Sequence, residues 1–451
     1  MLNNSQAIEV SLIRKYDVPG PRYTSYPTIP YWDQNTFSQK AWYKELSQIE
    51  TAEISLYIHL PYCESLCTYC GCNTRITKNH EMELPYIQTL IKEWKNYKQH
   101  FDFVPEVKEL HFGGGTPTFF SPNNLKNLIK ELLVDNKSHP DISLEAHPNN
   151  TTEEHLHVLY HLGSRRLSFG IQDFDESVQK LINRIQPFQQ VKEITEMARM
   201  IGFTSINYDL IYGLPGQSLQ SVAQTVKQTL ELKPDRIAFY SYAHVPWMKP
   251  AQKSYEQYLP DPDTKRSLYE LGKQMLHDNG YFEVGMDHFA LKEDDLAVAF
   301  HAGTMHRNFM GYTTRHTSTL IGLGASSISD SWSGFAQNEK NVDQYMEQIN
   351  MYGTAVVRGH ILDEKDLYVR QIILDLMCRF EADLSMFDPD QILATKKRLA
   401  PMILDGLVRW TADHRVKVLE KGIPFVRNIC MVFDQRMLIY KPKTQVFSQT
   451  V

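Results

Sequence analysis

From residue 54 the chain alternates short β-rich apolar runs with amphipathic helical stretches. The runs are ISLYIHL (54–60), VKELHF (107–112), ISLEAH (142–147), RRLSFGIQ (165–172), SINYDLIY (205–212) and RIAFYSY (236–242). Between them, PYIQTLIKEW (85–94) puts Ile87, Leu90, Ile91 and Trp94 on one helical face. NLKNLIKELL (124–133) does the same with Leu125, Leu128, Ile129 and Leu132. Strand–helix alternation at this spacing predicts βα units and a parallel sheet, hence an α/β fold. Six such units predict a partial (β/α)6 barrel, open on one side, with all six strand C-termini at one face.

The flanks read differently. Residues 1–50 are irregular, and PGPRYTSYPTIPYW (19–32) is rich in proline, which fixes φ and removes donors, so no helix is expected there. Its aromatics, Tyr23, Tyr26, Tyr31 and Trp32, predict a segment that packs onto something. Residues 260–345 read as a mixed continuation of the barrel, with polar clusters in GMDHFA (285–290) and HRNFMGYTT (306–314). From about 360 the pattern becomes helix, then helix, hairpin, helix, which resembles a winged helix. That stretch lacks a basic stripe, so it is expected to pack rather than bind DNA. The expected division is an N-terminal lid or substrate segment (1–50), a catalytic barrel with extension (51–345) and a helical C-terminal domain (346–451).

Composition narrows the function classes. The 451 residues are 42% hydrophobic and 22% charged, ordinary for a soluble enzyme. A net charge of −6 argues against nonspecific nucleic-acid binding, which rests on phosphate neutralisation. No apolar run approaches the ~20 residues that span a bilayer, and the N-terminus has no signal-peptide hydrophobic core. The expectation is a cytoplasmic protein with neither nucleic acid nor membrane as partner.

The chemistry concentrates in LPYCESLCTYCGCN (60–73). Cys63, Cys67 and Cys70 have the spacing C-x3-C-x2-C, one ligand short of the four cysteines that close an ordinary iron–sulfur cluster. An iron without a protein ligand is an open coordination site. Structural zinc is a weaker reading, because it wants four closed ligands, usually from paired CxxC units. A disulfide framework is weaker still, with only six cysteines in the chain. Strand one ends directly at this loop, with Ile54, Leu56, Ile58 and Leu60 on one face and Ser55, Tyr57 and His59 on the other. The second strand runs into GGGTPTFF (113–120), where glycines permit close backbone approach to a ligand. Polar side chains recur at other strand ends: Glu145, Gln172 and Asp209. Three facing one barrel mouth are better explained as ligand contacts than as surface residues. Arg184 is placed to pair with a carboxylate. Cys378 and Cys430 lie in apolar helical contexts and are expected to be buried hydrophobes.

With an aromatic, Tyr69, just before the third cysteine, the cysteine segment resembles the radical S-adenosylmethionine (SAM) enzymes. That likeness implies a [4Fe–4S] cluster on Cys63, Cys67 and Cys70, with SAM at the open iron. RYTSYPT (22–28), CxxxCxxCGCN, GGGTPT, FGIQDF, DLIYGLPGQ, YAHVP (242–246), GMDHFA, HRNFMGYTT and RNICMVFD resemble, in order and over nearly the whole chain, the oxygen-independent coproporphyrinogen III oxidases. This resemblance implies oxidative decarboxylation of two propionates of coproporphyrinogen III to vinyl groups, and two bound SAM molecules. The first would contact Tyr57, Gly114 and Glu145. The second would contact Tyr69, Gly115, Thr116, Gln172, Arg184, Asp209, Ala243 and Ile328. Tyr69 stands where that family has phenylalanine, and His147 where it has aspartate. Cys72, beyond the ligand set, is expected to relay a proton, hydrogen or electron. Arg22, Tyr23, His288, His306, Arg307 and Arg315 are candidate substrate contacts, because four carboxylates call for cationic partners. The resemblance also implies a low-potential electron donor such as flavodoxin or ferredoxin, an unidentified acceptor and a monomer. A haem-trafficking chaperone relative is the alternative; Cys72 and RYTSYP argue for the enzyme.

Overall fold

The computed structural model describes residues 10–33, 37–440 and 446–450. The chain divides into two compact units. The larger comprises the described residues of Asp33–Tyr281 and Thr317–Ile361. The other comprises those of Met1–Trp32, Phe282–His316 and Leu362–Val451.

All six expected barrel strands form in the larger unit: β1 (Glu53–Leu60), β2 (Glu106–Gly114), β3 (Asp141–Ala146), β4 (Arg166–Gln172), β5 (Ser205–Tyr212) and β6 (Arg236–Ser241). Each pairs in parallel with the next in sequence. They are joined by helices that include α1 (Glu83–Lys98), α2 (Pro122–Leu132), α3 (Glu153–His161), α4 (Phe188–Ile201) and α5 (Leu219–Leu232). The fold is α/β, a partial (β/α)6 barrel. Apolar periodicity drives it. Leu125, Leu128, Ile129 and Leu132 of α2 are all buried, each contributing about 1.5–3 kcal/mol. Ser121 caps that helix by accepting from the Asn124 N–H, with proline at the first turn.

The sheet also extends on the open side of β1. A further parallel strand, β7 (Leu320–Leu323), lies against β1 and is followed by antiparallel β8 (Ile328–Asp330), β9 (Gly334–Asn338) and β10 (Val356–Ile361). A buried carboxylate ties α1 to this extension. Glu93, 1% exposed, accepts from Gly324 N at 2.9 Å, Asn338 Nδ2 at 2.6 Å and Tyr345 Oη at 2.5 Å. Burial pushes its carboxyl up to about 7, against the pull of those three donors.

In the smaller unit, helix Glu364–Arg379 is followed by strand Glu381–Asp383, helix Pro389–Leu404 and the hairpin Val408–Trp410/Arg415–Val418. The first strand pairs antiparallel with the second hairpin strand, completing a small winged-helix-like sheet. Cys378 and Cys430 are buried, as expected.

The structure departs from the sequence reading in three places. Among the described residues of 1–50 there are two α-helices, Val10–Tyr16 and Gln39–Ser47, and a short 3-10 turn, Ile29–Tyr31. Both α-helices avoid the prolines, and both carry an i,i+4 apolar pair that is buried, Leu12/Tyr16 and Trp42/Leu46. The proline-rich stretch between them packs down: Tyr23 and Tyr26 are 4% and 2% exposed and share a core with Ile372, Leu376 and Phe433. Residues 282–316 cluster with the C-terminal segment rather than with the barrel, because Val284, Ala290, Leu296 and Met305 pack with Cys378 and Leu374. Residues 346–361 stay with the barrel, where β10 forms its antiparallel edge.

Candidate active site

Alternation along the barrel strands makes a polar interior that climbs toward the cysteine loop. Ser55 donates to Glu109 at 2.8 Å. One level up, the Tyr57 ring stacks on His111, their centroids 6.0 Å apart. His111 Nδ1 lies 2.7 Å from Ser143 Oγ, and its Nε2 donates to Glu145 at 3.4 Å. On β5, Asn207 reaches Ser168 and Asp209, both at 2.8 Å. Among the described residues the partner of His59 Nε2 is a carbonyl, Asn73 O at 2.9 Å, so that nitrogen donates and Nδ1 accepts from Tyr57 Oη at 3.1 Å. Burial lowers the basicity of His59, keeping it neutral.

The cysteine loop is held on several sides. Thr77 N donates to Cys63 O at 2.9 Å, Thr68 N to Ile182 O at 3.0 Å, and Asn183 Nδ2 to Leu66 O at 2.7 Å. Gln252 Nε2 reaches Tyr69 O at 3.1 Å, and Lys249 Nζ reaches Cys72 O at 2.8 Å. All four thiols are free. Burial pushes Cys63 up to about 11, with Thr116 donating to its sulfur at 3.3 Å in opposition. Cys70 is pushed down to about 6, chiefly by hydrogen bonding from Cys72; the Cys72 N–H lies 3.4 Å from its sulfur.

These thiols open onto a cavity of about 230 Å³. Its wall contains Cys63, Cys67, Cys70 and Cys72, and of the other expected site residues Tyr69, Gly114, Gly115, Thr116, Glu145, Gln172, Arg184 and Asp209. At Gly115 a Cβ would lie 2.7 Å from the backbone of Pro61, so only glycine lets β2 pass the cysteine loop this closely. Gly114 adopts φ +115° and donates its N–H to Glu145 at 3.2 Å. A bulge in the β4–β5 pairing between Gly170 and Gln172, with Gln172 at φ +69°, presents that side chain to the cavity. Burial would raise Glu145, but His111 and the Gly114 N–H outweigh it and hold the carboxyl below the usual range. Asp209 is pushed up to about 6 by burial and by the Glu145 charge. Arg184 donates to Gly170 O at 2.5 Å and to Cys67 Sγ at 3.5 Å, and its buried Nε has no partner among the described residues.

Tyr57, Ala243 and Ile328 lie outside the cavity wall. Tyr57 sits below it against His59 and His111. Ala243 O accepts from Gln252 at 3.2 Å, and the Ile328 backbone packs on Gly322 of β7. Six further candidates belong to the smaller unit. Arg22 pairs with Asp287 at 3.2 Å. Arg307 donates to Arg22 O at 3.3 Å and stands 4.4 Å over the Tyr312 ring. Tyr23 donates to Asp434 at 3.1 Å, and His288 Nδ1 lies 2.8 Å from Met286 O. His306 lies 4.1 Å from the His316 ring, while Arg315 is exposed.

A family model described as the radical SAM superfamily matches residues 57–229, from β1 to α5. The chain is 39% identical to oxygen-independent coproporphyrinogen III oxidase of Escherichia coli over 98% of each sequence. It is 37% identical to the protein of that name from Pseudomonas aeruginosa over 95% of each. The solved structure of the Escherichia coli enzyme (HemN), described as a radical SAM enzyme, matches with a TM-score of 0.89 at 37% identity. That match covers 95% of this chain and 99% of that one.

The chain belongs to the oxygen-independent coproporphyrinogen III oxidase family.

In this member of the oxidase family, sequence reasoning named the acids and the arginine at the cavity but assigned no role to the residues that fix them. His59 and His111 order Tyr57 and Glu145, and Gln252 and Lys249 pin the cysteine loop. The signal for the two histidines was present: each lies two residues beyond an inward polar position on its strand, Tyr57 and Glu109. Gln252 and Lys249 carried none, since they come from a 3-10 helix, Pro250–Tyr258, and its N-cap, far along the chain.

Proposed function

We infer that this chain carries out the oxygen-independent conversion of coproporphyrinogen III to protoporphyrinogen IX, and that the cavity above β1–β6 is its radical-generating centre. The observation that carries the placement is convergence. Three free thiols in C-x3-C-x2-C order, a glycine that abuts their loop and polar strand ends line one cavity. The residues fit the cofactors: three thiols for a [4Fe–4S] cluster with one iron open, and acids plus a cation for the ammonium, hydroxyls and carboxylate of SAM. Cys63, Cys67 and Cys70 would hold the cluster, and Gly114, Gly115, Thr116, Glu145, Gln172, Arg184 and Asp209 would surround SAM. When bound, these groups supply one-electron cleavage of SAM to methionine and a 5′-deoxyadenosyl radical.

The chain's own residues do the rest. The Asn73 carbonyl fixes the tautomer of His59, whose Nδ1 accepts the hydrogen bond from the Tyr57 hydroxyl and so leaves the lone pairs of that oxygen free to accept. His111 holds Glu145 ionised as an acceptor for a cationic or hydroxyl group. At each of two propionates the substrate loses a hydrogen atom from the β-carbon, carbon dioxide and one electron, leaving a vinyl group. A second SAM, the relay role of Cys72, and propionate contacts by Arg22, Tyr23, His288, His306, Arg307 and Arg315 complete the proposal. A low-potential donor such as flavodoxin or ferredoxin supplies the electron for SAM cleavage, and an acceptor removes the electron left on substrate. We propose a monomer in the cytoplasm, the reducing compartment in which free thiols persist. Among the described residues no helix is long and apolar enough to cross a membrane.

Anaerobic reconstitution tests the placement. The reduced holoprotein should change its cluster EPR signal on adding SAM and release 5′-deoxyadenosine when coproporphyrinogen III is present. An EPR signal indifferent to SAM would remove the cavity as the radical centre.

A further inference from the structure

His147 lines the cavity two residues beyond Glu145, on the same side of the chain by strand alternation. Its backbone is pinned: the carbonyl accepts from Asn150 N at 3.0 Å, Thr151 N at 3.1 Å and Thr151 Oγ1 at 2.9 Å. The ring is pinned as well. Nδ1 accepts from the Asn149 N–H at 3.2 Å, which places the ring proton on Nε2, at the opposite edge of the imidazole. Among the described residues Nε2 has no partner, and it belongs to a side chain in the cavity wall.

A second donor in the same wall also lacks an acceptor. Arg184 commits Nη1 to Cys67 and Nη2 to Gly170, leaving Nε buried and unpaired. Burial, and then the Arg184 charge, push the basicity of His147 down to about 2, so the imidazole stays neutral beside the guanidinium. By contrast, the three carboxylates of the cavity are already served: Glu145 by His111 and Gly114, Asp209 by Ser168 and Asn207, and Glu64 by His80 at 3.6 Å. The unmet need of this wall is for an anion that accepts two N–H bonds. The carboxylate is the anionic group of SAM.

We propose that the His147 Nε2–H and the Arg184 guanidinium together hold the cofactor's carboxylate, making His147 a cofactor-binding residue. This rests on the reading of the cavity as the SAM site. A neutral donor adds directionality without a second positive charge, so carboxylate and sulfonium are oriented with little added repulsion.

Equilibrium dialysis of the reconstituted holoprotein with SAM and with decarboxylated SAM tests it, in native protein, His147→Phe, His147→Ala and His147→Gln. Cluster absorption checks each variant first. His147→Phe and His147→Ala should bind SAM about tenfold more weakly, the worth of one hydrogen bond to a charged acceptor. The same variants should bind the decarboxylated analogue within about twofold of native, and His147→Gln, which keeps an N–H donor, should recover most of the SAM affinity. Equal losses for both ligands, or no loss for either, would overturn the carboxylate assignment while leaving the SAM site in place. Failure of the native holoprotein to bind SAM would overturn the cofactor reading, and this proposal with it.

Discussion

Cys70 and Cys72 sit two residues apart with a hydrogen bond from one to the sulfur of the other, yet they are assigned different tasks. Changing Cys63, Cys67 or Cys70 to serine should abolish both visible cluster absorption and activity. Cys72→Ser should keep the absorption and lose at least about a hundredfold in turnover, the low end for an acid–base group. Iron loss in Cys72→Ser would show that the ligands are misassigned. Asp209 gives a pH signature. With its carboxyl near 6, it is ionised above that value and protonated below it. SAM affinity should therefore fall as pH drops from 7.5 to 5.5, and Asp209→Asn should bind weakly with no such slope. A slope unchanged in Asp209→Asn would assign the titration elsewhere. The acids were legible as polar residues at inward positions of apolar strand runs, Glu145 one residue before the end of β3 and Asp209 three before the end of β5. For the two histidines only the register was legible, since an inward position does not tell whether a histidine there serves a core or a ligand.

At the scale of elements, the cysteine loop stays in place because β2 can pass close beside it. Gly115→Ala would drive a methyl into Pro61 C and O at 2.7 Å and Tyr62 O at 2.9 Å, all backbone atoms that yield only if the loop moves. The expected cost is about 1–3 kcal/mol of overpacking, read as a lowered unfolding midpoint and reduced iron content after reconstitution. Iron content equal to native would contradict the close approach. Glu93 joins α1 to the sheet extension through three donors. Its carboxyl is raised from 4.5 to about 7 in the folded protein. Between those values the folded state holds more protons than the unfolded one, so this residue costs stability as pH rises. The cost reaches at most about 3 kcal/mol. Glu93→Gln should gain stability relative to native as pH goes from 5 to 8, measured by denaturant unfolding. A difference independent of pH would place the titration on another group. The Glu93 staple was hidden in the sequence because its partners, Gly324, Asn338 and Tyr345, lie more than 200 positions away.

For the whole molecule, the six barrel strands were legible because each is a compact apolar run bounded by helical periodicity. β7 escaped notice: LIGL is four residues long, and its pairing with β1 links distant parts of the chain. The allegiance of residues 282–316 was equally invisible, since their apolar partners lie on helix Glu364–Arg379. The two N-terminal helices were overshadowed by the prolines between them. The cysteine spacing, by contrast, carried the cofactor chemistry almost unaided, since few residue sets leave an iron deliberately open. The central claim is the reaction itself. An anaerobic assay of the reconstituted protein with coproporphyrinogen III, SAM, a low-potential reductant and an electron acceptor tests it most directly. The account predicts two carbon dioxide molecules released for each protoporphyrinogen IX formed. Stoichiometric haem binding with neither product would contradict it.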